Sequence, residues 1–340
     1  MPPFPNKGGS RRAFSATRAA PSVASLVAGA CLAVYFLYPD ESRSAPTSQD
    51  APLSPTHFTP ATLLSSETCN HDTKLMQLNI PKHLIPVDGS LHGCRPIWSI
   101  FVKDDDIQVE RPYTPLEGID EEGNMLLWVK AYQKGEVGRW LHSKKPNEQI
   151  EIRGPLQTWL WNENEWDEVV MICGGTGITP FYQLFHSVIR PAGSTSKTRF
   201  TLLHSSRTPL DFPPPVMMRQ LTDYAEQHSD HFRLGLFVDS NDGSAALSSR
   251  NTFSEGRINL EAVRKYTEPD SPQNWWNRVF GAFSSPKPTI SPQRRILFLV
   301  CGPEPMISAI AGPYGRNFSQ GPVGGILAEL GCTSAQVRKL

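Results

Sequence analysis

Two uninterrupted apolar runs stand out in the pattern of hydrophobic and polar positions along the chain. Val169–Cys173 and Ile296–Val300 contain only apolar residues, a pattern typical of parallel strands that are covered on both faces. Each run leads into a turn that contains glycine. Phe200–Leu203 predicts a further strand, and Phe181–Ile189 places apolar residues at helical spacing. Strands and helices should therefore alternate in the second half of the chain.

A different pattern occurs earlier in the chain. Ile107–Tyr113 alternates between apolar and polar positions, as a half-buried strand does. Pro112 and Pro115 bracket Tyr113 and Thr114 and hold the backbone extended. On this evidence alone, a stiff edge strand with Arg111 on the surface is an adequate interpretation.

The N-terminal region predicts the location of the protein. Residues 1 to 39 contain basic residues and no Asp or Glu, as mitochondrial presequences do, and we assign 1–20 as a targeting segment. Residues 21–38 carry no charge and are just long enough to form a transmembrane helix. The basic flank would stay in the matrix, which places the catalytic domains in the intermembrane space. A secretory signal anchor is the alternative. Residues 39–56, rich in Ser, Thr and Pro, predict a flexible linker.

Composition excludes several classes of function. The 33 basic and 33 acidic residues balance, so no general affinity for nucleic acid is expected. The six cysteines are scattered without a C-x-x-C pair or a His/Cys cluster, so we expect neither a disulfide framework nor a metal ligated by the protein. A Pro-rich insertion at 266–295 contains Trp275-Trp276, which fits an ordered surface loop or a site for a membrane or a partner.

Three short segments carry the candidate chemistry. Arg111 offers a planar cation suited to a pyrophosphate, beside the aromatic face of Tyr113 and the hydroxyl of Thr114. The glycines that begin at Gly174 lie between a predicted strand and a predicted helix, which is an arrangement that binds anions. Cys301 ends a strand at the edge where ligands bind in open α/β sheets, although a buried structural cysteine is the plainer interpretation. We do not predict that Cys301 is a nucleophile.

Together these segments resemble the ferredoxin reductase superfamily in its NADH-cytochrome b5 reductase-like branch. They read Arg111-Pro-Tyr-Thr-Pro, Gly174-Gly-Thr-Gly-Ile-Thr-Pro and Cys301-Gly-Pro-Glu-Pro-Met. Gly135-Glu-Val-Gly-Arg-Trp-Leu lies between them in the expected order, and the match runs from about residue 57 to the end. The resemblance implies an antiparallel β-barrel FAD domain at 57–155, an interdomain linker at 156–166 and an α/β Rossmann-like parallel-sheet NAD(P) domain at 167–340.

The resemblance also implies cofactors and site residues. The cofactors are FAD and either NADH or NADPH, with hydride transfer in the cleft between the two domains. The residues implied near the reacting groups are Tyr113, Thr114 and Cys301. The residues implied in cofactor binding are Arg111, Tyr113, Thr114, Val129, Lys130, Tyr132, Gly135, Val137, Gly138, Gly174, Gly175, Thr176, Gly177, Thr179, Pro180, Cys301, Gly302, Pro303 and Met306.

Some positions depart from the family pattern or leave alternatives open. Gly138 stands where the family usually has serine, and Leu340 where many members end in an aromatic residue that covers the flavin. After the strand predicted at Phe200–Leu203, Arg207 would favour the 2′-phosphate of NADPH and Asp211 the free 2′-hydroxyl of NADH. The choice between the two nucleotides therefore stays open.

The electron acceptor is predicted only by resemblance. In Ile107–Leu116, in Phe58-Thr-Pro60, in the N-terminal anchor and in the ending from Gly324 to Leu340, the chain is similar to fungal mitochondrial flavoproteins that work in haem attachment to cytochrome c. That similarity implies haem, or the haem-attachment machinery, as the partner of an enzyme anchored in the mitochondrial inner membrane. An NADH-cytochrome b5 reductase, with cytochrome b5 as partner, is one alternative. A flavin-binding assembly factor whose turnover is incidental is an alternative of another class.

Overall fold

The computed structural model describes residues 45–86, 96–105, 108–192, 197–243, 252–267 and 294–340. The targeting segment, the transmembrane helix expected at 21–38 and the Trp275-Trp276 pair lie outside these residues. In the part of the chain that is described, no helix combines the length and apolar character needed to cross a membrane. Pro46–Leu340 forms one compact unit.

The first half of this unit is an antiparallel sheet of six strands in the order β4-β3-β6-β1-β2-β5. The strands are β1 Thr59–Thr68, β2 Thr73–Asn79, β3 Trp98–Lys103, β4 Glu110–Tyr113, β5 Asn124–Lys130 and β6 Gln149–Gln157. The predicted antiparallel domain is therefore confirmed. Within the described ranges β4 and β5 are not paired to each other, so hydrogen bonding leaves the predicted barrel open there. Helix α1, Glu136–Ser143, follows β5 and covers one end of the core.

The second half is a parallel sheet of six strands in the order β10-β9-β8-β7-β11-β12. These strands are β7 Glu168–Gly174, β8 Arg199–Ser206, β9 Phe232–Val238, β10 Ser254–Glu255, β11 Ile296–Cys301 and β12 Val337–Lys339. The sheet is buried between two apolar cores, one on each face. This is the predicted Rossmann-like domain, and its strand order reverses beside β7, where such sheets bind ligands.

Helices flank this sheet. They are α2 Thr179–Leu184, a π-helical turn at Phe185–Ile189, α3 Arg190–Ala192, α4 Pro215–Gln227, α5 Leu260–Thr267, α6 Glu304–Ala311 and α7 Gly325–Glu329. Short 3-10 turns lie at Lys82–Leu84, Gly175–Ile178, Pro209–Asp211 and Arg316–Phe318. The strand predicted at Phe200–Leu203 is longer than expected, because its ladder to β9 continues as far as Ser206. Arg207 is therefore the first residue beyond the strand.

The linker prediction for 39–56 is wrong over its described part. Leu53 is only 3% exposed and belongs to the core of the antiparallel domain. Its amide donates to the Leu84 carbonyl at 2.8 Å, and Gly154 donates to the Ser54 carbonyl at 3.1 Å. A composition rich in Ser and Pro suggested a tether, but one leucine and these backbone bonds attach the segment to the domain.

A buried glutamine joins the two halves. Gln183, on α2 of the parallel domain, accepts from the Trp98 amide at 2.9 Å and donates to the carbonyls of Trp98 and Pro115 at 3.2 and 3.0 Å. Trp161 packs nearby against Phe200, with ring centroids 5.4 Å apart. The tryptophans after β6 thus contribute to packing between the domains, as residues at a hinge would.

Candidate functional site

A cavity of about 570 Å³ lies where the two domains meet. Its wall is built from β4, the end of β5, the start of α1 and the turns that follow β7 and β11. Most of the site residues inferred from sequence line it. These are Arg111, Tyr113, Thr114, Lys130, Tyr132, Gly135, Val137, Gly138, Gly174, Thr176, Gly177, Thr179, Pro180, Cys301, Gly302 and Pro303, and Leu340 lines the same cavity.

Of the remaining predicted residues, Gly175 and Met306 line a second cavity described below, and Val129 lines neither. Its side chain is fully buried in the core of the antiparallel domain, and its carbonyl accepts a bond from the His142 ring at 3.1 Å. Strand alternation explains the difference, because neighbours on β5 point to opposite faces of the sheet. Lys130 reaches the cavity and Val129 reaches the core, so the predicted contact of Val129 with the cofactor is corrected.

Arg111 is available to an anion. Its guanidinium donates to the Glu110 carbonyl at 2.8 Å, whereas the Glu110 carboxylate is held by Arg153 through two bonds of 2.6 and 3.0 Å. The nearest carboxylate therefore does not compete for Arg111. Burial raises the pKa of Tyr113, so its phenol stays protonated as a hydrogen-bond donor beside the guanidinium.

The start of α1 forms a second anion-binding element in this cavity. Gly135 caps the helix, and Gly138 lies in its first turn, where backbone N–H groups lack partners within the helix. A Cβ on Gly138 would lie 2.6 Å from the Lys130 carbonyl oxygen. Glycine therefore lets the helix approach β5 closely, and a serine here would require the backbone to shift.

A larger cavity of about 750 Å³ adjoins the first. Lys130, Tyr132, Gly174 and Pro303 line both cavities. Gly175, Met306 and the end of β8 line the larger cavity only, so it runs across the carboxyl edge of the parallel sheet.

Two glycines in the turn after β7, Gly175 and Gly177, have different surroundings. Gly175 has a φ of +55°, and a Cβ built on it meets no atom within 4 Å, so this residue faces open space. A Cβ on Gly177 would instead lie 2.5 Å from the Cys301 carbonyl oxygen. Gly175 therefore suits a cradle for phosphate, while Gly177 allows the turns after β7 and β11 to touch.

Cys301 lies at that contact, paired in register with Cys173 on β7. Burial raises the pKa of Cys301 to about 12 and the pKa of Cys173 well above its usual value. Both groups are therefore neutral thiols near pH 7. A small neutral side chain such as Cys301 can pack against a flat ring without placing a charge next to it.

The polar end of the larger cavity contains an ion-pair network that sequence reasoning missed. Arg207 contacts Asp211 at 3.2 Å and Asp72 at 3.1 Å, and Lys130 contacts Asp72 at 3.0 Å. Oxygen and nitrogen atoms of His71, Asp72 and Asp211 lie within 4.8 Å of one another, the spacing of a possible metal site. Lys130 and Arg207 already neutralise the two carboxylates, which argues against a cation there.

The residues present fit a flavin and a nicotinamide dinucleotide. The indole N–H of Trp128 is buried in the wall of the smaller cavity without a partner among the described residues, so a bound group can supply its acceptor. Arg111 and the start of α1 suit a pyrophosphate, and Gly175 suits a second one. The two cavities meet at Gly174 and Pro303, so rings bound in the two cavities would lie close together.

Comparisons with known proteins agree with this site. Residues 60–161 match the model of the oxidoreductase FAD-binding domain, and residues 171–312 match that of the oxidoreductase NAD-binding domain. An NADH-cytochrome b5 reductase 2 of Scheffersomyces stipitis is 31% identical over 82% of this chain and 81% of that protein. One from Mycosarcoma maydis is 30% identical over 83% of this chain and 72% of that protein.

A solved structure shows the same fold. The cytochrome b5 reductase domain of Ulva prolifera nitrate reductase aligns with a TM-score of 0.61 at 20% identity, over 85% of this chain and 100% of that chain. The class is thus an FAD- and NAD-binding oxidoreductase. Within that class, the chain belongs to the NADH-cytochrome b5 reductase family of ferredoxin reductase-like flavoproteins.

Proposed function

We propose that this protein carries electrons from NADH through FAD to a haem acceptor. The observation that carries the proposal is the shared wall of the two cavities at Gly174 and Pro303. Bound FAD supplies the chemistry, since it accepts a hydride and passes its electrons on singly. The protein supplies binding, orientation and the exclusion of water.

Each group in the wall has a defined task. Arg111 and the amides at the start of α1 would hold the FAD pyrophosphate, while Tyr113 and Thr114 would orient the ring. The turn at Gly175 would hold the pyrophosphate of NADH. The neutral thiol of Cys301 would lie beside the nicotinamide.

The side chains at the end of β8 favour NADH. Arg207 would attract a 2′-phosphate if it were unengaged, but it already contacts Asp211. Asp211 is buried, which fixes a carboxylate close to the position where the ribose 2′-hydroxyl would lie. A hydroxyl can donate to that carboxylate, whereas a phosphate is repelled.

For the acceptor and the location we propose haem, or the haem-attachment machinery of cytochrome c, at the mitochondrial inner membrane. The basic start of the chain, the uncharged span at 21–38 and the similarity to fungal cytochrome c import factors support this proposal. A second candidate, cytochrome b5, is supported by the relatives from Scheffersomyces stipitis and Mycosarcoma maydis, both of which are NADH-cytochrome b5 reductases 2. Both candidates require an accessible flavin edge and single-electron release.

An anaerobic titration tests the proposal. The purified yellow protein is titrated with NADH while the flavin absorbance is followed, and haemin or cytochrome b5 is then added in parallel samples. We expect NADH to bleach the flavin and haemin to be reduced at least as fast as cytochrome b5. Faster reduction of cytochrome b5 would select the second candidate. A flavin that NADH does not bleach would contradict both and favour the assembly factor.

A further inference from the structure

The antiparallel domain contributes a carboxylate to the nucleotide cavity of the parallel domain. Asp72 lies just before β2, in the turn between β1 and β2, and lines the same cavity as Arg207 and Asp211. Its Oδ2 atom accepts from Arg207 at 3.1 Å, across the interface between the two domains. No sequence motif includes Asp72.

The position of Asp72 is fixed by its own turn. Its amide donates to the Asn70 side-chain oxygen at 3.0 Å, and its carbonyl accepts from the Ala131 amide at 2.8 Å. Asn70 also donates to the Leu210 carbonyl at 3.3 Å, one residue before Asp211. The turn is thus attached to both domains, and the carboxylate is presented to Arg207 without large freedom of movement.

Burial strengthens the effect of this carboxylate. The Asp72 side chain is 16% exposed, and its Oδ1 atom is buried with no hydrogen-bond partner among the described residues. Its charge is balanced on the other oxygen by Lys130 and Arg207. Arg207 is the more exposed partner, at 58%, and it lines the larger cavity.

The charges of this network balance before any nucleotide binds. Two cations, Lys130 and Arg207, face two carboxylates, Asp72 and Asp211. A 2′-phosphate would add a charge of about −1.5 to −2 at pH 7. Asp72 and Asp211 both accept from Nη2 of Arg207, so a phosphate bound through the other N–H groups of this guanidinium would lie close to two carboxylates that repel it. A 2′-hydroxyl adds no charge and leaves the network intact.

We propose that Asp72 is a positioning residue for nucleotide choice: it holds Arg207 across the domain interface and thereby excludes the 2′-phosphate of NADPH. The inference rests on the proposed function, because it takes the larger cavity to bind a nicotinamide dinucleotide. Asp72 belongs to the FAD domain, whereas Arg207 and Asp211, the other residues that would select NADH over NADPH, follow β8 in the NAD domain.

The test compares the wild-type FAD-loaded protein with Asp72→Asn. Calorimetry measures the affinities of 5′-AMP and 2′,5′-ADP, which differ only in the 2′-phosphate. We expect the substitution to raise the affinity for 2′,5′-ADP relative to 5′-AMP by about fivefold, the size suited to a partly exposed ion pair. The ratio of kcat/KM for NADPH to that for NADH should rise in parallel. Any effect of the substitution on the reactivity of the flavin cancels in this ratio, because NADH and NADPH reduce the same flavin.

Two further variants separate the proposed role from a structural one. Adding Arg207→Gln to Asp72→Asn should abolish the gain, since the phosphate then lacks its cation. Asp167→Asn breaks a similar pair, with Arg295 at 2.8 Å, at the amino end of β7 away from the cavity, and should leave the ratio unchanged. If Asp72→Asn changes both affinities equally, the turn is merely structural and the inference fails.

Other outcomes also decide the matter. A wild-type protein that binds 2′,5′-ADP more tightly than 5′-AMP would overturn the inference, because the two carboxylates would then fail to exclude the 2′-phosphate. Flavin bleaching by NADH is recorded separately. If NADH fails to bleach the flavin but the affinity ratio shifts as expected, the proposed function fails and the role of Asp72 stands.

Discussion

Arg111 is the side chain on which FAD binding depends most directly. It is a permanent cation in the wall of the smaller cavity, and its neighbouring carboxylate, Glu110, is already held by Arg153. We predict that Arg111→Gln raises the dissociation constant of FAD by about 10- to 100-fold, the range for loss of a hydrogen bond to a charged group. Quenching of flavin fluorescence on titration of the apoprotein measures this constant.

Arg295→Gln is the matched control for this prediction. Arg295 is equally charged but pairs with Asp167 outside either cavity. This variant should bind FAD as the wild type does. If Arg111→Gln retained wild-type affinity, the pyrophosphate would have to lie elsewhere in the cavity.

At the residue scale, sequence predicts the groups that belong to local motifs. Arg111 and Tyr113 lie two positions apart, and the glycines after β7 lie within a few positions of one another, so spacing alone brings together the members of each motif. Asp72 and Gln183 act across the domain interface and have no motif around them. Only the packing of one domain on the other brings Asp72 to Arg207, which no periodicity in the chain encodes.

At the scale of elements, α2 joins the domains through Gln183. Replacing it by leucine keeps its volume but leaves the Trp98 amide and the Trp98 and Pro115 carbonyls without this partner. We predict that Gln183→Leu lowers the free energy of unfolding by about 3 kcal/mol, the cost of unsatisfied buried groups. Urea unfolding followed by tryptophan fluorescence gives this value.

The functional consequence of Gln183→Leu is a slower reduction of flavin by NADH, because α2 supports one side of the cleft. Gln227→Leu, at the exposed end of α4, changes the same side chain without touching the interface. Equal stability of the two variants would show that the interface is held by apolar packing alone.

Strand β8 contains a buried histidine, His204, near its carboxyl end. Burial lowers the pKa of His204 to about 3, whereas an unfolded histidine has a pKa of about 6.5. Between these values the unfolded chain binds more protons, so stability falls as the pH falls below about 6.5. The loss at pH 5 relative to pH 7 should be about 2 kcal/mol from this group.

Substitution of His204 isolates this effect. We predict that His204→Gln shrinks the difference in unfolding free energy between pH 7 and pH 5 by about 2 kcal/mol, even if the variant is less stable at both. Denaturant unfolding at the two pH values measures the difference. His83→Gln, at an exposed position, should leave it unchanged.

At the scale of the whole molecule, periodicity predicts the alternating strands and helices of the second half, whereas the antiparallel domain and its bounds are implied by the family resemblance. Continuous apolar runs predict the parallel sheet, and alternation predicts strands before it. The linker prediction for the segment before β1 is wrong because the segment has no periodic pattern. Its composition resembles a tether, and a single buried leucine among prolines and serines carries too little pattern to outweigh composition.

That segment provides a test of where the folded unit begins. A chain that starts at Pro46 keeps Leu53 in the core and the Arg153 bond to the Pro55 carbonyl at 3.0 Å, whereas one that starts at Phe58 loses both. We predict that the shorter chain is less stable by about 3 kcal/mol, chiefly from the lost apolar burial. Thermal unfolding with FAD bound compares the two chains.

Leu53→Ala in the longer chain separates apolar burial from the backbone bonds. A cost of about 2 to 4 kcal/mol is expected, since the cavity left in the core cannot close fully. If this variant and the chain starting at Phe58 both match the chain starting at Pro46 in stability, the segment is a tether after all. If both variants are destabilised and release FAD more readily, the segment is part of the folded flavin domain. A membrane anchor before it would then be separated from the domain by only a short stretch of chain.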